Sequence, residues 1–163
     1  MDTIFILTVD GEMCNEDLGM RDGSIQNDQI LASSFSKRNP PFLARPFSTG
    51  WCIDKTMDAN PWIMVDMKSK TKIEGMTLIL MKEDVHTFSN DIWESFHLLY
   101  GNQTDNLTDL KLTTDVDTFT SEQYLSFFLQ NAVTTRFIML RLNGSIGVNQ
   151  SCLQFEIHGC KLS

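Results

Sequence analysis

The residues of this chain best suited to covalent or metal chemistry are four cysteines, Cys14, Cys52, Cys152 and Cys160. A compact zinc site uses closely spaced Cys or His ligands, and no two of these cysteines have the Cys-x2-Cys spacing of such a site. An even number of widely separated cysteines instead indicates disulfides. Spacing alone leaves all three possible pairings open.

No arrangement of nucleophile, acid and base typical of an enzyme occurs in the sequence. A Gly-x-Ser-x-Gly elbow, a phosphate loop and a His-Glu-x-x-His motif are all missing, and segment 144–147 has only a similar composition without the spacing. Acidic clusters at 105–109 and 115–117 lack the Gly and terminal Glu of an EF-hand loop, which indicates a solvated surface. The sequence therefore predicts a non-enzymatic protein without a cofactor.

Four Asn-x-Ser/Thr triplets are candidate N-glycosylation sites in stretches with loop composition. Their acceptors are Asn102, Asn106, Asn143 and Asn149. Together with the even number of cysteines, they favour an oxidising environment and an extracellular location, secreted or within a cell-surface ectodomain. Residues 1–9 lack the basic region and apolar length of a signal peptide, which predicts a trimmed or incomplete gene product.

The overall charge limits the possible partners. A net charge of -8 argues against nucleic acid, because phosphate binding needs a concentrated Lys/Arg surface. No apolar window approaches the length of a membrane span. A local basic loop remains compatible with an anionic membrane surface.

The elements that position these residues are predicted to be β-strands. Apolar positions 153, 155 and 157 alternate with polar ones, which is typical of a strand with one buried face, and helical periodicity is not sustained anywhere. Strands are predicted over 29–33, 62–67, 72–80, 95–100, 124–129, 136–142 and 152–158. Many short strands without helices predict an all-β sandwich or jelly roll.

Three long connections between the predicted strands are candidates for ligand binding, because the loops of a rigid sandwich are free to vary. They span 35–45, 48–61 and 82–93. The first has two basic residues beside a Pro-Pro-Phe sequence, and the third mixes charged and apolar groups. The candidate ligand-binding residues are Lys37, Arg38, Phe42, Lys82, His86, Phe88 and Trp93.

A series of short motifs resembles, in order, those of the discoidin domain, also called the coagulation factor V/VIII type C domain. The resemblance covers about nine tenths of the chain. Its elements are Cys14, Leu-Gly-Met at 18–20, Gly-Ser-Ile at 23–25, Gln-Ile at 29–30, Ala-Ser-Ser at 32–34, Ala-Arg at 44–45, Gly-Trp-Cys at 50–52, Trp-Ile-Met-Val-Asp at 62–66, Thr-Arg-Phe-Ile at 135–138 and Leu-x-Phe-Glu-Ile-x-Gly-Cys at 153–160.

This resemblance implies a galactose-binding-like jelly roll of about eight strands, with binding loops called spikes at one end. It also implies the pairs Cys14–Cys160 and Cys52–Cys152, the inner pair being similar to that of discoidin domain receptors and neurexin-like adhesion proteins. We divide the chain into an extension (1–13), the discoidin domain (14–160) and a tail (161–163). Some proteins of the wider fold hold a structural calcium, for which 27–28 would be the corresponding region.

The resemblance implies an extracellular recognition module that binds a cell-surface or matrix protein or glycan and contributes to adhesion. Collagen-binding relatives have a loop tryptophan where this chain has Phe35 and Phe42, so collagen is disfavoured. One alternative is binding to anionic phospholipid through the first loop, where apolar side chains would enter the bilayer and cations would meet phosphatidylserine. Another is an accessory carbohydrate-binding module of a larger enzyme.

Overall fold

Two unusually long strands organise the fold. The computed structural model describes residues 14–53, 58–81, 96–110, 116–121, 124–142 and 152–162. The strands described are β1 Glu16–Asp17, β2 Ile30–Ala32, β3 Trp51–Cys52, β4 Trp62–Met81, β5 Phe96–Gly101, β6 Thr108–Leu110, β7 Val116–Ser121, β8 Tyr124–Leu142 and β9 Cys152–Lys161. Short 3-10 helices cover Asn27–Gln29 and Pro41–Ala44. No helix in these ranges is long and apolar enough to cross a membrane.

β4 and β8 each take part in both layers of the sandwich. The first part of β4 pairs with β2 and with 137–141 of β8, whereas its later part pairs with β9 and with the first part of β8. The register shifts between Asp66 and Thr71, where both strands bend from one layer to the other. The predicted strands 62–67 and 72–80 are therefore one strand, as are 124–129 and 136–142. The polar residues at the bend interrupted the apolar pattern without ending the strand.

The core lies between the two layers and follows the period-2 alternation. Ile63 and Val65 of β4 face Leu140 and Ile138 of β8, and all four are buried. Trp51 is fully buried beside them and donates its indole N–H to the Ser34 carbonyl at 2.8 Å. Each such side chain contributes about 1.5–3 kcal/mol by leaving water. The predicted all-β sandwich is confirmed.

The polar face of β9 is buried, whereas the sequence predicted a strand with only one buried face. Gln154 and Glu156 alternate with the apolar residues as expected, but both are 3% exposed and not on a solvated face. The Glu156 carboxylate accepts the backbone N–H groups of Met20 (3.1 Å), Arg21 (2.7 Å) and Ile157 (3.0 Å), so its buried oxygens have partners. Segments from other parts of the chain therefore cover this face of β9.

The two disulfides lie at opposite ends of β9. The pairs Cys14–Cys160 and Cys52–Cys152 are both present. Along the β4–β9 ladder, Lys72 lies opposite Cys160 and Met81 opposite Cys152, which places the two bonds roughly 26 Å apart at 3.3 Å per residue. We call the end with Cys14–Cys160 and the bends at 66–71 and 135–137 the corner end, and the end with Cys52–Cys152 the tip end.

Candidate ligand-binding tip

A tight turn at the tip end presents two cations to solvent. The Asn39 N–H donates to the Ser36 carbonyl at 2.9 Å, which closes a four-residue turn with Lys37 and Arg38 at its two central positions. Both central side chains are exposed. We call Ser36–Asn39 the cationic turn. The structure thus brings together two of the predicted binding residues, and their direction is set by the turn backbone.

The cationic turn is anchored to the strand that carries the inner disulfide. The Ser36 N–H donates to the Cys52 carbonyl at 3.1 Å, and the Cys52 N–H points back to the Asn39 carbonyl at 3.5 Å. The Asn39 side-chain amide donates to the Gly50 carbonyl at 3.1 Å. Both ends of the turn are therefore fixed through backbone groups, which leaves the Lys37 and Arg38 side chains available for a ligand.

Apolar side chains flank the cationic turn. Phe42 is 37% exposed in the 3-10 helix that follows, which begins with the Leu43 N–H donating to the Pro40 carbonyl at 3.0 Å. Phe35, just before the turn, is 47% exposed. In sequence, the two cations of the first loop therefore lie between two partly exposed aromatic residues. This arrangement can combine charge attraction with burial of apolar surface.

The described part of the second loop is joined through an acidic side chain to the residues just before the first loop. The Asp58 carboxylate accepts the Ser34 hydroxyl at 2.9 Å and also the Ser33 hydroxyl. Its other oxygen accepts the Asn60 N–H at 3.2 Å. Hydrogen bonds thus hold this negative charge against two serines that precede the first loop.

Several predicted site residues lie outside the described residues. These are Lys82, His86, Phe88 and Trp93 of the third loop and the acceptors Asn143 and Asn149. The other two acceptors are exposed on the loop between β5 and β6, where Gly101 lies opposite Phe137 and so belongs to the corner end. The Asn102 side-chain oxygen accepts the Arg136 N–H at 3.2 Å.

Asp66 and Arg136, which belong to two of the discoidin-like motifs, serve the scaffold and lie at the corner end. Arg136 forms a two-point ion pair with Asp66, at 2.9 and 3.0 Å. This hydrogen-bonded guanidinium, helped by the Lys68 N–H at 2.8 Å, holds the pKa of Asp66 below its ordinary value of 3.8. The same pair raises the pKa of Arg136.

Arg45 occupies a separate network from Asp66. Its guanidinium donates to the Met20 and Ile25 carbonyls at 2.9 and 2.6 Å and to the Asn27 side-chain oxygen at 2.8 Å. The Asn27 oxygen, one of the groups considered for calcium, therefore already faces a cation. Within the described ranges, no three His, Cys, Asp or Glu side chains cluster as metal ligands would.

Phe47 is an exposed aromatic residue that sequence reasoning missed. It is 77% exposed and has a positive φ of 67°, which is rare for an aromatic residue. The buried Gln154 side chain accepts its N–H at 3.1 Å, and the Arg21 guanidinium lies 5.0 Å from its ring centroid. No periodic pattern around residue 47 signals this, because a side chain distant in sequence fixes its backbone.

The relatives of this chain support the resemblance found in its sequence, although no family model matches it. It is similar to coagulation factor V of Sus scrofa, at 28% identity over 178 residues, and of Homo sapiens, at 27% over 168 residues. These alignments cover 100% and 92% of this chain but 8% and 7% of those proteins. The chain thus spans less than a tenth of the length of these relatives. The predicted resemblance to the type C domains is confirmed.

Solved structures with the same fold include sugar-binding proteins. A fucolectin from Morone saxatilis serum has a TM-score of 0.60 at 12% identity, covering 94% of this chain and 51% of its own. The CBM32 module of AlyQ, in complex with 4,5-unsaturated mannuronic acid, has a TM-score of 0.59 at 16% identity, covering 90% and 98%. At these identities the likeness shows the fold alone. That fold is the galactose-binding-like sandwich predicted above.

Proposed function

We propose that this chain, a discoidin-type domain, is an extracellular, non-catalytic recognition module that binds a cell-surface or matrix glycan or protein through its tip end and contributes to adhesion. The observation that carries the proposal is the cationic turn, which keeps Lys37 and Arg38 exposed in a loop that also exposes Phe35 and Phe42. The two disulfides support an extracellular location. The fucolectin and the CBM32 module support a glycan as one class of ligand.

The chain carries a net charge of -8, which makes the two tip cations conspicuous. An acidic surface repels anionic ligands in general, so a local pair of cations selects where such a ligand approaches. Because the turn backbone is already hydrogen bonded, binding would have to order only the two long side chains. Less ordering on binding favours affinity.

The direct test is binding of the oxidised chain to arrays of glycans and matrix proteins. The test variant is the double substitution Lys37→Ser and Arg38→Ser. The matched control is Lys70→Ser with Lys161→Ser, which removes the same charge from exposed positions towards the corner end. We expect the test variant to lose affinity about tenfold, equivalent to ~1.4 kcal/mol, and the control less than about twofold. Equal losses in both variants, or no binding of the oxidised chain to any ligand class, would contradict the proposal.

A second candidate is attachment to phosphatidylserine membranes through the same loop. The exposed Phe35 and Phe42 beside Lys37 and Arg38 favour it, because apolar side chains can enter a bilayer while cations meet its headgroups. Co-sedimentation with phosphatidylserine and phosphatidylcholine vesicles at two salt concentrations distinguishes this function. It requires binding that weakens with salt and falls in Phe42→Ala. Binding to both vesicle types, or binding insensitive to salt, would contradict it.

A further inference from the structure

The inner disulfide joins a very short strand to β9. β3 comprises only Trp51 and Cys52, and in its register Cys52 lies directly opposite Cys152. Both cysteines are half-buried, whereas in the other disulfide Cys160 is half-buried and Cys14 is buried. Thiol–disulfide exchange requires access of the attacking thiolate to a sulfur, and exposed disulfides are the more readily reduced. A reductant can therefore approach both partners of Cys52–Cys152 but only one partner of Cys14–Cys160.

Cys52 is also the residue to which the cationic turn is anchored. Its carbonyl accepts the Ser36 N–H at 3.1 Å, and its N–H lies 3.5 Å from the Asn39 carbonyl. The neighbouring Trp51 is held independently, by full burial and by its indole hydrogen bond to Ser34. Opening the disulfide thus removes the covalent restraint on Cys52 and leaves only the pairing of the two-residue strand β3 with β9 to hold it, while Trp51 stays packed in the core. The restraint that is lost is therefore the one next to the backbone groups that anchor the cationic turn.

The rest of the fold keeps its other connections when this bond opens. β9 stays paired with β4 from Lys161 to Cys152, and Cys14–Cys160 still joins the two ends of the chain. The Leu18 N–H still donates to the Ile157 carbonyl at 2.9 Å near the corner end. A molecule reduced only at Cys52–Cys152 therefore keeps its sandwich.

We propose that Cys52–Cys152 is a redox switch for the tip end: a dithiol reductant opens it before Cys14–Cys160, and opening it loosens the cationic turn. In the first step a thiolate of the dithiol attacks one cystine sulfur, forms a mixed disulfide and releases the other cysteine as a thiolate. The second thiol of the reductant then attacks the mixed disulfide and releases the second cysteine. Two electrons and two protons pass from the dithiol to the cystine, which leaves two cysteine thiols and an oxidised, disulfide-bonded reductant. The inference rests on the proposed function only in its consequence for ligand binding.

The first test is a titration of the full oxidised chain with dithiothreitol, followed by alkylation of free thiols and peptide mass spectrometry. We expect Cys52 and Cys152 to be alkylated at a reductant concentration at least tenfold below that required for Cys14 and Cys160. Simultaneous reduction of the two bonds, or earlier reduction of Cys14–Cys160, overturns the proposal. This measurement needs no ligand, so it is independent of the proposed function.

The second test measures amide hydrogen exchange in the half-reduced chain and in the double variant Cys52→Ala with Cys152→Ala. We expect exchange of the Ser36 and Asn39 amides to become at least tenfold faster in both samples. The Leu18 amide serves as the control and should be unchanged. Unchanged exchange at Ser36 and Asn39 after selective reduction overturns the switch. If the turn loosens but the oxidised chain binds no ligand, the switch stands and the proposed function falls.

Discussion

The corner end and the tip end of this sandwich are held together by different kinds of contact. At the corner end, charged and polar side chains bond to the scaffold: Asp66 pairs with Arg136, and the Thr135 hydroxyl donates to the Gly101 carbonyl at 2.7 Å. At the tip end, backbone groups and a disulfide hold the cationic turn, while Lys37 and Arg38 stay exposed. Side chains that hold a scaffold are not available to a ligand. The comparison therefore separates an end whose polar side chains bond to the scaffold from an end where the proposed binding residues stay exposed.

Removal of Cys14–Cys160, the outer disulfide, should have the largest effect on stability. The sequence separations of 146 and 100 residues for the outer and inner bonds give nearly equal chain-entropy terms, at most about 5 kcal/mol each. The double variant Cys14→Ala with Cys160→Ala should nevertheless lose more than Cys52→Ala with Cys152→Ala. The outer bond also holds the first residues over β9, where Leu18 and Met20 are buried. Urea unfolding of both variants measures the difference. A larger loss of unfolding free energy in Cys52→Ala with Cys152→Ala would contradict this prediction.

Neutralising the buried carboxylate at the corner should have the next largest effect. Asp66→Asn removes the charge that accepts two hydrogen bonds from Arg136, so we expect a loss of about 2 kcal/mol in the free energy of unfolding. Asp109→Asn is a matched control, because Asp109 is a half-exposed carboxylate paired with His97 at 3.0 Å. Exposed ion pairs contribute about 0–1 kcal/mol. Equal losses in the two variants would show that burial at the corner does not strengthen its ion pair.

The same carboxylate should make the stability depend on pH. The pKa of Asp66 is lowered from 3.8 by Arg136, so its contribution is complete well above that value and is lost as the pH falls through the lowered pKa. The difference in unfolding free energy between the wild type and Asp66→Asn should therefore be largest near neutral pH. It should shrink towards zero in strong acid. A difference that is constant between neutral and strongly acidic pH would contradict this account.

The cationic turn should contribute least to stability. Lys37→Ser with Arg38→Ser changes two exposed side chains outside the anchoring hydrogen bonds, so the free energy of unfolding should change by less than about 0.5 kcal/mol. Asn39→Ala is the contrasting variant, because it removes the side-chain hydrogen bond to Gly50. We expect Asn39→Ala to cost about 1 kcal/mol. A greater loss of unfolding free energy in Lys37→Ser with Arg38→Ser than in Asn39→Ala would show that the two cations stabilise the scaffold.

Much of this fold was predictable because apolar and polar residues alternate along its strands. The pattern at 153–157 correctly identified the buried apolar face of β9, and the resemblance to the type C domains identified both cysteine pairs. The continuity of β4 and β8 through their bends was not predictable. Polar residues at a bulge have the same composition as those at a strand end. The grouping of Lys37, Arg38 and Phe42 in one loop was visible in the sequence, but the anchoring of that loop to Cys52 was not.

Local composition by itself determined that this chain is a β-protein with cross-linking cysteines, a cationic first loop and no catalytic motif. Tertiary structure decided which polar side chains are used and which stay free. Glu156 is buried because the backbone of Met20 and Arg21 passes over it, and Phe47 is exposed because Gln154 fixes its backbone. These contacts join residues more than 100 positions apart. The alternation of residues along a strand predicts which face of the sheet a side chain occupies. What covers that face depends on how distant parts of the chain pack in the folded structure.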